Sequence, residues 1–544
     1  MNARTVARGV AGAALMISAL TILARLAGFG RTLVFTNTVG AASTGDVYLA
    51  ANTVPNIVFE VVAGGALASL VVPMLAGGIA TGDREQVRRT ASALLGWSLL
   101  ILTPLAAVIA LAAEPIARLL LGDGDSAQVD LAARFLFVFA PQVVLYGIGI
   151  VLAGVLQAHR RFAGPALAPL LSSLLVAAAY LVFAGIGGSP DIDTLSRPGE
   201  LVLGVGTTLG VVVLSLSLLV PVSRLRLGLR PALRFPVGAA PRVRRLALAG
   251  VLTLAGQQAV AAVAIRLAND GPDGTQVVYF AGLTLFLVPW AALAVPLATS
   301  AYPGLAERAE VGDEAGYRRS LAPAAVLVIA TAAVAAGVLV AVSGPMARVF
   351  LVSAPEATVR ALRDTIIAFA PGLVGYALVA LLTRALYARG LWKAPTVCVV
   401  GGWLLAVVAD VVLAQQLPVE QRGLALGAGH SIGVTVAGIG LLVVVARVAG
   451  PDALRGVVRT GAAALAGSAL GAAAGLLGAR ALGADPVPHS GVLGAIAVGV
   501  AAAAIVLMIS GAVMMGTART PVTEAVHALR TPDDQRAATT GGAR

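Results

Sequence analysis

The chain has little charge, one cysteine, few histidines and few aromatic residues, and each shortage excludes a class of protein. Asp, Glu, Lys and Arg make up 12% of the 544 residues, too few to cover a soluble domain. The single cysteine, Cys398, excludes a disulfide framework and a cysteine-based metal site. The four histidines do not pair at metal-ligand spacing. No phosphate-binding loop or nucleophile–base motif is present either.

Long apolar segments fill most of the chain instead, since 58% of the residues are hydrophobic. About 20 apolar residues span a bilayer as a helix, and fourteen segments are long enough. They lie at 10–38, 47–78, 88–113, 132–156, 163–186, 200–222, 246–268, 277–303, 320–343, 361–388, 394–416, 423–446, 457–481 and 490–516. The predicted fold is therefore an all-α polytopic membrane protein with about fourteen transmembrane helices.

The basic residues predict how these helices are oriented. When the loops are assigned alternately to two sides, the side of the N-terminus holds 27 of the 38 Lys and Arg residues and the other side holds nine. Such a bias marks the cytoplasmic side, so both termini are predicted to be cytoplasmic. The arginines lie in short loops with few aromatic neighbours, which favours contact with membrane lipids over nucleic acid as a partner.

The chain also repeats itself at an offset of 230 residues. The matched pairs include Pro115/Pro345, Phe139/Phe369, Pro141/Pro371, Tyr146/Tyr376 and Pro165/Pro395. Because six spans separate the copies, the two lobes are predicted to be parallel. The predicted parts are the N-terminal lobe 1–222, a basic cytoplasmic linker 223–245, the C-terminal lobe 246–446, two further helices in 447–516 and a disordered tail 517–544. Parallel repeats are typical of transporters, although a duplicated scaffold remains an alternative.

Charged and polar residues inside the first two spans are the candidate substrate-binding residues: Arg25, Arg31, Asp46, Asn56 and Glu60. Charge within a membrane is costly, so it normally faces a wet cavity or a partner. Arginine binds phosphate or pyrophosphate in bidentate fashion, which predicts a site for an amphiphile's headgroup. The alternative is an ion pair between Arg25 and Glu60, with Arg31 reaching the interface.

Two further features concern the shape and energy supply of this site. Pro55 and Asn56, followed by Gly64 and Gly65, predict a bend or break in the second span. Asp410, in the eleventh span, is a candidate cation site or an acid that reaches outward. No cofactor is predicted. Without a nucleotide-binding module, uphill transport would draw on the membrane potential or a monovalent cation.

The first two spans resemble a known family. The segment from Ala24 to Arg31, ARLAGFGR, looks like the first-helix signature of the MurJ/MviN family of lipid II flippases. GDVY at 45–48, VPN at 54–56 and the stretch from Gly65 to Pro73 are similar to that family's second helix. PQVVLYG at 141–147 and GVGTT at 204–208 look like its branch in high-G+C Gram-positive bacteria.

The resemblance implies the fold of the multidrug/oligosaccharidyl-lipid/polysaccharide exporter superfamily, with a cationic central cavity. Arg25, Arg31 and Asp46 match the family's headgroup and gating residues. The chain departs from the family at Phe59 and Glu60, and at Thr284, where studied members have arginine.

The resulting hypothesis is a flippase that moves lipid-linked peptidoglycan precursor, lipid II, across the bacterial plasma membrane by alternating access. It would not be an enzyme. Its partners would be the lipid-linked precursor, membrane lipids and cell-wall synthesis proteins. The alternatives are an exporter of another polyprenyl-linked saccharide or amphiphile, and a membrane scaffold without transport activity.

Overall fold

The computed structural model describes residues 20, 23–61, 71, 74–75, 78–79, 81–122, 125–234, 257–483 and 491–530. Every regular element within these ranges is helical, which confirms the all-α prediction. Contacts between residues divide the chain into a first unit, Met1–Val277, and a second unit, Val278–Arg544. This division falls later in the chain than the lobe boundary predicted from the repeat, because residues 257–277 pack with the first unit.

The helices of the first unit follow the predicted spans closely. They are α1 (23–38), α2 (Ser43–Phe59), α3 (Arg84–Leu111), α4 (Ala113–Leu121), α5 (Ser126–Ala158), α6 (Ala163–Gly185), α7 (Arg197–Leu216), α8 (Leu219–Ser223) and α9 (257–268). Ser196 caps α7 by accepting a hydrogen bond from Gly199 N, as small polar residues do at helix N-termini.

The second unit begins within α10 (Thr275–Pro289), which continues through a π-helical turn at Trp290–Ala294 into α11 (Val295–Glu310). Its remaining helices are α12 (Glu314–Phe350), α13 (Glu356–Phe369), α14 (Gly372–Ala388), α15 (Lys393–Gln416), α16 (Arg422–Ala449), α17 (Val457–Ala481), α18 (Val492–Thr517) and α19 (Arg519–Arg530).

Ten helical stretches of the described chain are long and apolar enough to cross a membrane, and the pair α13 and α14, bent by 44°, makes eleven. The tenth predicted span, 361–388, is therefore two helices. The other three predicted spans, 10–38, 47–78 and 246–268, lie partly outside the described residues. These helices confirm a multi-pass membrane protein, and the total of fourteen remains a prediction.

Helix boundaries in the two units differ by the same 230 residues as the sequence matches. α3 begins at 84 and α12 at 314; α5 covers 126–158, whereas α13 and α14 together cover 356–388; α6 begins at 163 and α15 at 393. Asp83 and Asp313 cap the equivalent helices α3 and α12. Arg160 and Gly390, at equivalent positions, both adopt positive φ, so the turn geometry is retained even where glycine is not.

The structure adds detail to one predicted segment and contradicts another. Within the basic linker, residues 229–234 lie along α3: Ala232 N donates to Ser92 O at 3.0 Å, and Trp97 Nε1 donates to Leu233 O at 2.9 Å. Residues 235–245 lie outside the described residues. The tail 517–544 is predicted to be disordered because it is polar, yet residues 519–530 form the helix α19. Ala525 of this helix and Ala518, which precedes it, are buried.

Candidate functional site

Arg25 and Arg31 lie on α1, as predicted. The side chain of Arg25 is exposed and that of Arg31 is partly exposed. Within the described residues neither arginine forms an ion pair, and Arg25 does not pair with Glu60. The structural ion pair that was the alternative to a headgroup site is therefore not observed. Both guanidinium groups keep their donors available for an anionic ligand.

The Arg31 charge lies within electrostatic range of three buried tyrosines, Tyr48, Tyr146 and Tyr180. Tyr48 Oη lies 2.8 Å from Tyr180 Oη and 2.6 Å from Thr207 Oγ1. Because the Thr207 hydroxyl donates to Leu203 O at 2.7 Å, its single proton is used, so Tyr48 donates to Thr207 and Tyr180 donates to Tyr48. This chain of hydrogen bonds fixes the side chains of Tyr48, Tyr180 and Thr207 relative to one another and thereby joins α2, α6 and α7.

Asn56 and Phe59, both on α2, hold Tyr146 of α5 in place. Tyr146 Oη donates to Asn56 Oδ1 at 3.0 Å, and the rings of Phe59 and Tyr146 lie 4.5 Å apart. Because Asn56 accepts through its carbonyl oxygen, its amide N–H donors remain available.

The second span leaves regular α-helical geometry at residue 60, and the predicted bend or break stays a prediction because residues 62–70 lie outside the described residues. Helix α2 continues through Pro55, and residues 60–61 then adopt π-helical geometry, with Glu60 N directed at Asn56 O and Ile57 O. Glu60 is exposed and forms no ion pair within the described chain. Gly64 and Gly65 lie outside the described residues. π-Turns within helices often occur at functional sites.

Asp46 has a structural role that the sequence did not indicate. Its side chain is 6% exposed, and its carboxylate accepts hydrogen bonds from Gly274 N at 2.7 Å and Val277 N at 3.0 Å. These donors lie at the N-terminus of α10, where free N–H groups and the helix dipole favour an anion. Asp46 therefore caps α10, and a role in substrate binding stays a prediction.

Gln142 is a polar residue of this region that sequence reasoning missed. It is fully buried, and its Nε2 donates to Thr208 Oγ1 at 2.9 Å, while its Oε1 has no partner among the described atoms. The sequence signal for such a residue is an amide side chain within an apolar span, here Gln142 directly after Pro141.

Asp410 lies on α15 of the second unit and is 1% exposed, so it does not reach outward. Its Oδ1 has no hydrogen-bond partner in the described chain, and it lies directly against Gly429 of α16. The adjacent His430 is enclosed by the rings of Phe286, Phe369 and Trp403 at 5.2–5.4 Å. A buried carboxylate at membrane depth is costly unless a proton or a cation neutralises it.

The helical fold is shared with solved transporters. A structure of lipid II flippase MurJ in an inward closed conformation aligns with a TM-score of 0.73 over 92% of this chain and 99% of its own, at 17% identity. An inward-facing multidrug resistance transporter of the MATE family and MOP superfamily aligns with a TM-score of 0.64 over 80% and 98%, at 15% identity. The chain therefore shares the helical fold of these two solved proteins.

The family model of lipid II flippase MurJ matches residues 35–483, so the chain belongs to the MurJ family. A probable lipid II flippase MurJ from Rhizobium tropici is 25% identical over 43% of this chain and 43% of its own length. A lipid II flippase MurJ from Burkholderia cenocepacia is 27% identical over 31% and 34%. The chain thus aligns with less than half the length of these relatives.

Proposed function

We propose that the protein is a flippase that moves lipid-linked peptidoglycan precursor from the cytoplasmic to the outer leaflet of the bacterial plasma membrane. The single observation that supports this most is the family match over 35–483. The site is consistent with the same substrate class. Arg25 and Arg31 are unpaired in the described structure, and guanidinium groups are suited to a pyrophosphate-bearing headgroup.

The mechanism follows from the positions of the charges. The headgroup would enter from the cytoplasm and bind Arg25 and Arg31, while its lipid tail stays in the bilayer. The second span, interrupted at Glu60, would then change its bend as the cavity opens to the other side. Asp46 would keep the start of α10 attached to α2 through its two backbone hydrogen bonds.

The test is to deplete the protein in its own cells and measure how much lipid II an externally added lipid II-cleaving enzyme can reach. We expect lipid II to accumulate in the inner leaflet, out of reach of the enzyme. Re-expression of the chain should restore access within the same cells. Unchanged access after verified depletion would contradict lipid II flipping. Loss of another polyprenyl-linked saccharide from the outer leaflet would favour an exporter of that compound, and no transport defect would favour a scaffold.

The orientation that this mechanism needs follows from the 27-to-9 distribution of basic residues. A reporter that is active only in the cytoplasm should be active when fused after residue 235 and silent when fused after residue 195. The reverse pattern would place the arginine-rich loops outside and contradict loading from the cytoplasm.

We also infer that Asp410 couples transport to a monovalent cation or proton, because its carboxylate is buried with one oxygen unpartnered in the described chain. In vesicles without an imposed membrane potential, an inward Na⁺ or H⁺ gradient should change the flipping rate of the unaltered protein. Asp410→Asn should remove that dependence and leave the amount of protein unchanged. If the variant keeps the full gradient response, Asp410 has no coupling role.

A further inference from the structure

Four arginines of the second unit meet at one end of its helices. Arg318 and Arg319 lie in the second turn of α12, Arg455 precedes α17, and Arg459 lies in its first turn. Together they line a cavity of about 630 Å³, within the usual range of small-ligand sites, roughly 300–1,000 Å³. The other charged residues of its lining are Asp452 and Glu524, so the arginines outnumber the acids by two to one.

Close packing of α19 closes one side of this cavity. Gly456 has φ +80°, and a Cβ atom there would lie 3.0 Å from Pro521 Cβ and 3.5 Å from Val326 Cγ2. Only glycine satisfies both the backbone and the space. Ala518 and Ala525 are buried at 0% and 1% exposure, which anchors α19 against its neighbours. The wall is therefore a packed part of the fold.

Backbone carbonyls at helix ends orient two of the four guanidinium groups. Arg459 Nε donates to Thr517 O, the last residue of α18, at 2.7 Å, and Arg318 Nη1 donates to Ala449 O, the last residue of α16, at 3.4 Å. Cations are favoured at helix C-termini. Each contact uses one of the five N–H donors of an arginine.

The remaining donors of the cluster are available to a ligand. Within the described residues, none of the four arginines forms an ion pair with an acid, and neither does Asp452 or Glu524. Several guanidinium groups around one cavity suit the oxygens of a phosphate group, which they bind in bidentate fashion.

The rest of the lining points to an amphiphile. Ala322, Pro323 and Val326 continue the cavity wall along the apolar part of α12. Next to Arg459 on α17, Val458 is 83% exposed, as a lipid-facing residue would be. Basic pockets between transmembrane helices are typical sites for anionic lipid headgroups. We propose that this pocket binds the phosphate headgroup of an anionic phospholipid, whose acyl chains lie in the bilayer beside α17.

With the orientation proposed above, the bound lipid belongs to the cytoplasmic leaflet. The lipid would stabilise the junction of α12, α17 and α19 and is distinct from the transported molecule, whose candidate residues lie on α1 and α2.

The experiment measures lipid binding to the purified full-length chain in detergent by native mass spectrometry. The probes are phosphatidylglycerol and phosphatidylcholine with the same acyl chains, with inorganic phosphate as a competitor. We expect phosphatidylglycerol to bind at least tenfold more tightly than phosphatidylcholine. The double variant Arg319→Gln/Arg455→Gln should lower the affinity for phosphatidylglycerol at least tenfold. The control Lys393→Gln/Arg447→Gln removes two exposed cations outside the pocket and should stay within twofold of the unaltered chain.

Three results would overturn the proposal: equal binding of the two lipids, equal losses in the two double variants, or displacement of phosphatidylglycerol by millimolar inorganic phosphate. The last result would identify a soluble anion as the ligand. Glu524→Gln gives a second readout if the arginine variant does not fold. Removing this carboxylate should raise the affinity for phosphatidylglycerol severalfold, and an unchanged affinity would exclude the pocket as the site.

Discussion

Some equivalent positions in the two units share a backbone conformation but differ in side-chain chemistry. Position 56 is Asn56 in the first unit, where it accepts a hydrogen bond from Tyr146; its equivalent, Phe286, stacks on Tyr376 at 5.8 Å. Four residues further along the chain, at the equivalent positions 60 and 290, both units change from α-helical to π-helical geometry. Duplication has thus retained the π-helical turn, while the side chain four residues before it is polar in the first unit and aromatic in the second.

A second pair of equivalent positions differs in how a buried polar group is satisfied. Tyr180 takes part in the hydrogen-bond chain with Tyr48 and Thr207, whereas its equivalent, Asp410, keeps an unpartnered carboxylate oxygen in the described chain. Unpartnered buried polar groups cost free energy unless a ligand satisfies them. This difference is consistent with the proposal that the first unit binds the headgroup and the second unit binds a coupling ion.

The largest expected effect concerns the arginines of α1, whose equivalents in the second copy of the sequence repeat are Ala255 and Ala261. Arg25→Ala and Arg31→Ala should each abolish flipping while the amount of protein in the membrane stays near normal. Loss of one charge-assisted contact costs roughly 1.5–3 kcal/mol, or about one to two decades in affinity. Flipping and protein level would be measured together.

Matched variants separate a ligand role from a structural one. Arg31→Lys should retain part of the activity, because lysine keeps the charge but not the planar donor pair. Ala261→Arg, which places an arginine at the equivalent position of α9, should not restore flipping to Arg31→Ala if the headgroup needs the arginine of α1. If flipping and protein level fall together, and neutralising Glu60 restores both, the arginines serve the fold.

The next effect concerns helix packing. A Cβ at Gly375 would lie 2.5 Å from Thr435 Cα and 2.6 Å from Val434 O, both backbone atoms, whereas a Cβ at Gly147 would meet the end of the Leu102 side chain. Leu102 can change rotamer and a packed backbone cannot. Gly375→Ala should therefore lower the free energy of unfolding by about 1–3 kcal/mol and Gly147→Ala by less.

Thermal unfolding of the purified variants in detergent would measure this difference. Equal unfolding midpoints for the two variants would show that α14 and α16 can move apart to accept a methyl group. The close approach of small residues would then contribute little to the stability of the second unit.

A smaller effect, of opposite sign in the two units, is expected at positions 180 and 410. Tyr180→Phe removes one donor from the hydrogen-bond chain and should cost about 0.5–1.5 kcal/mol of unfolding free energy. Asp410→Asn removes a buried charge and should leave the stability unchanged or raise it. A marked loss of stability in Asp410→Asn would show that the carboxylate has a structural partner, and its coupling role would then be abandoned.

The apolar spans could be predicted from the sequence because each is a local run of apolar residues. The repeat could be predicted because identical residues recur at one constant offset. The spans 88–113 and 320–343 illustrate the local pattern, since the first lies within the helix Arg84–Leu111 to within two residues and the second lies well inside the helix Glu314–Phe350, whereas the true helix starts follow the aspartate caps Asp83 and Asp313. The cap of α10 by Asp46 was not readable, because its donors lie 228 and 231 residues away. The helix α19 was missed for a similar reason: its composition is polar, and its stabilising contacts, such as that of Pro521 with Gly456, come from distant segments.

The smallest effect concerns equivalent helix starts with opposite charges, Arg84 and Glu314. Arg84 Nη2 donates to Leu225 O at 2.9 Å, whereas Glu314 forms a bidentate ion pair with Arg389, both bonds being 2.8 Å long. The Arg389 guanidinium also lies 4.9 Å from the ring centre of Tyr317.

Because half of the Glu314 side chain is exposed, Arg389→Gln should cost only about 0.2–1 kcal/mol of unfolding free energy. Salt screens exposed charges, so the loss should shrink at 1 M salt. Arg84→Gln, which removes a bond to a neutral carbonyl, should respond less to salt. A double-mutant cycle of Arg389→Gln with Glu314→Gln isolates the pair. A coupling energy of zero would assign any loss to the contact of Arg389 with Tyr317 instead, and Tyr317→Leu would then remove the remaining effect of Arg389→Gln.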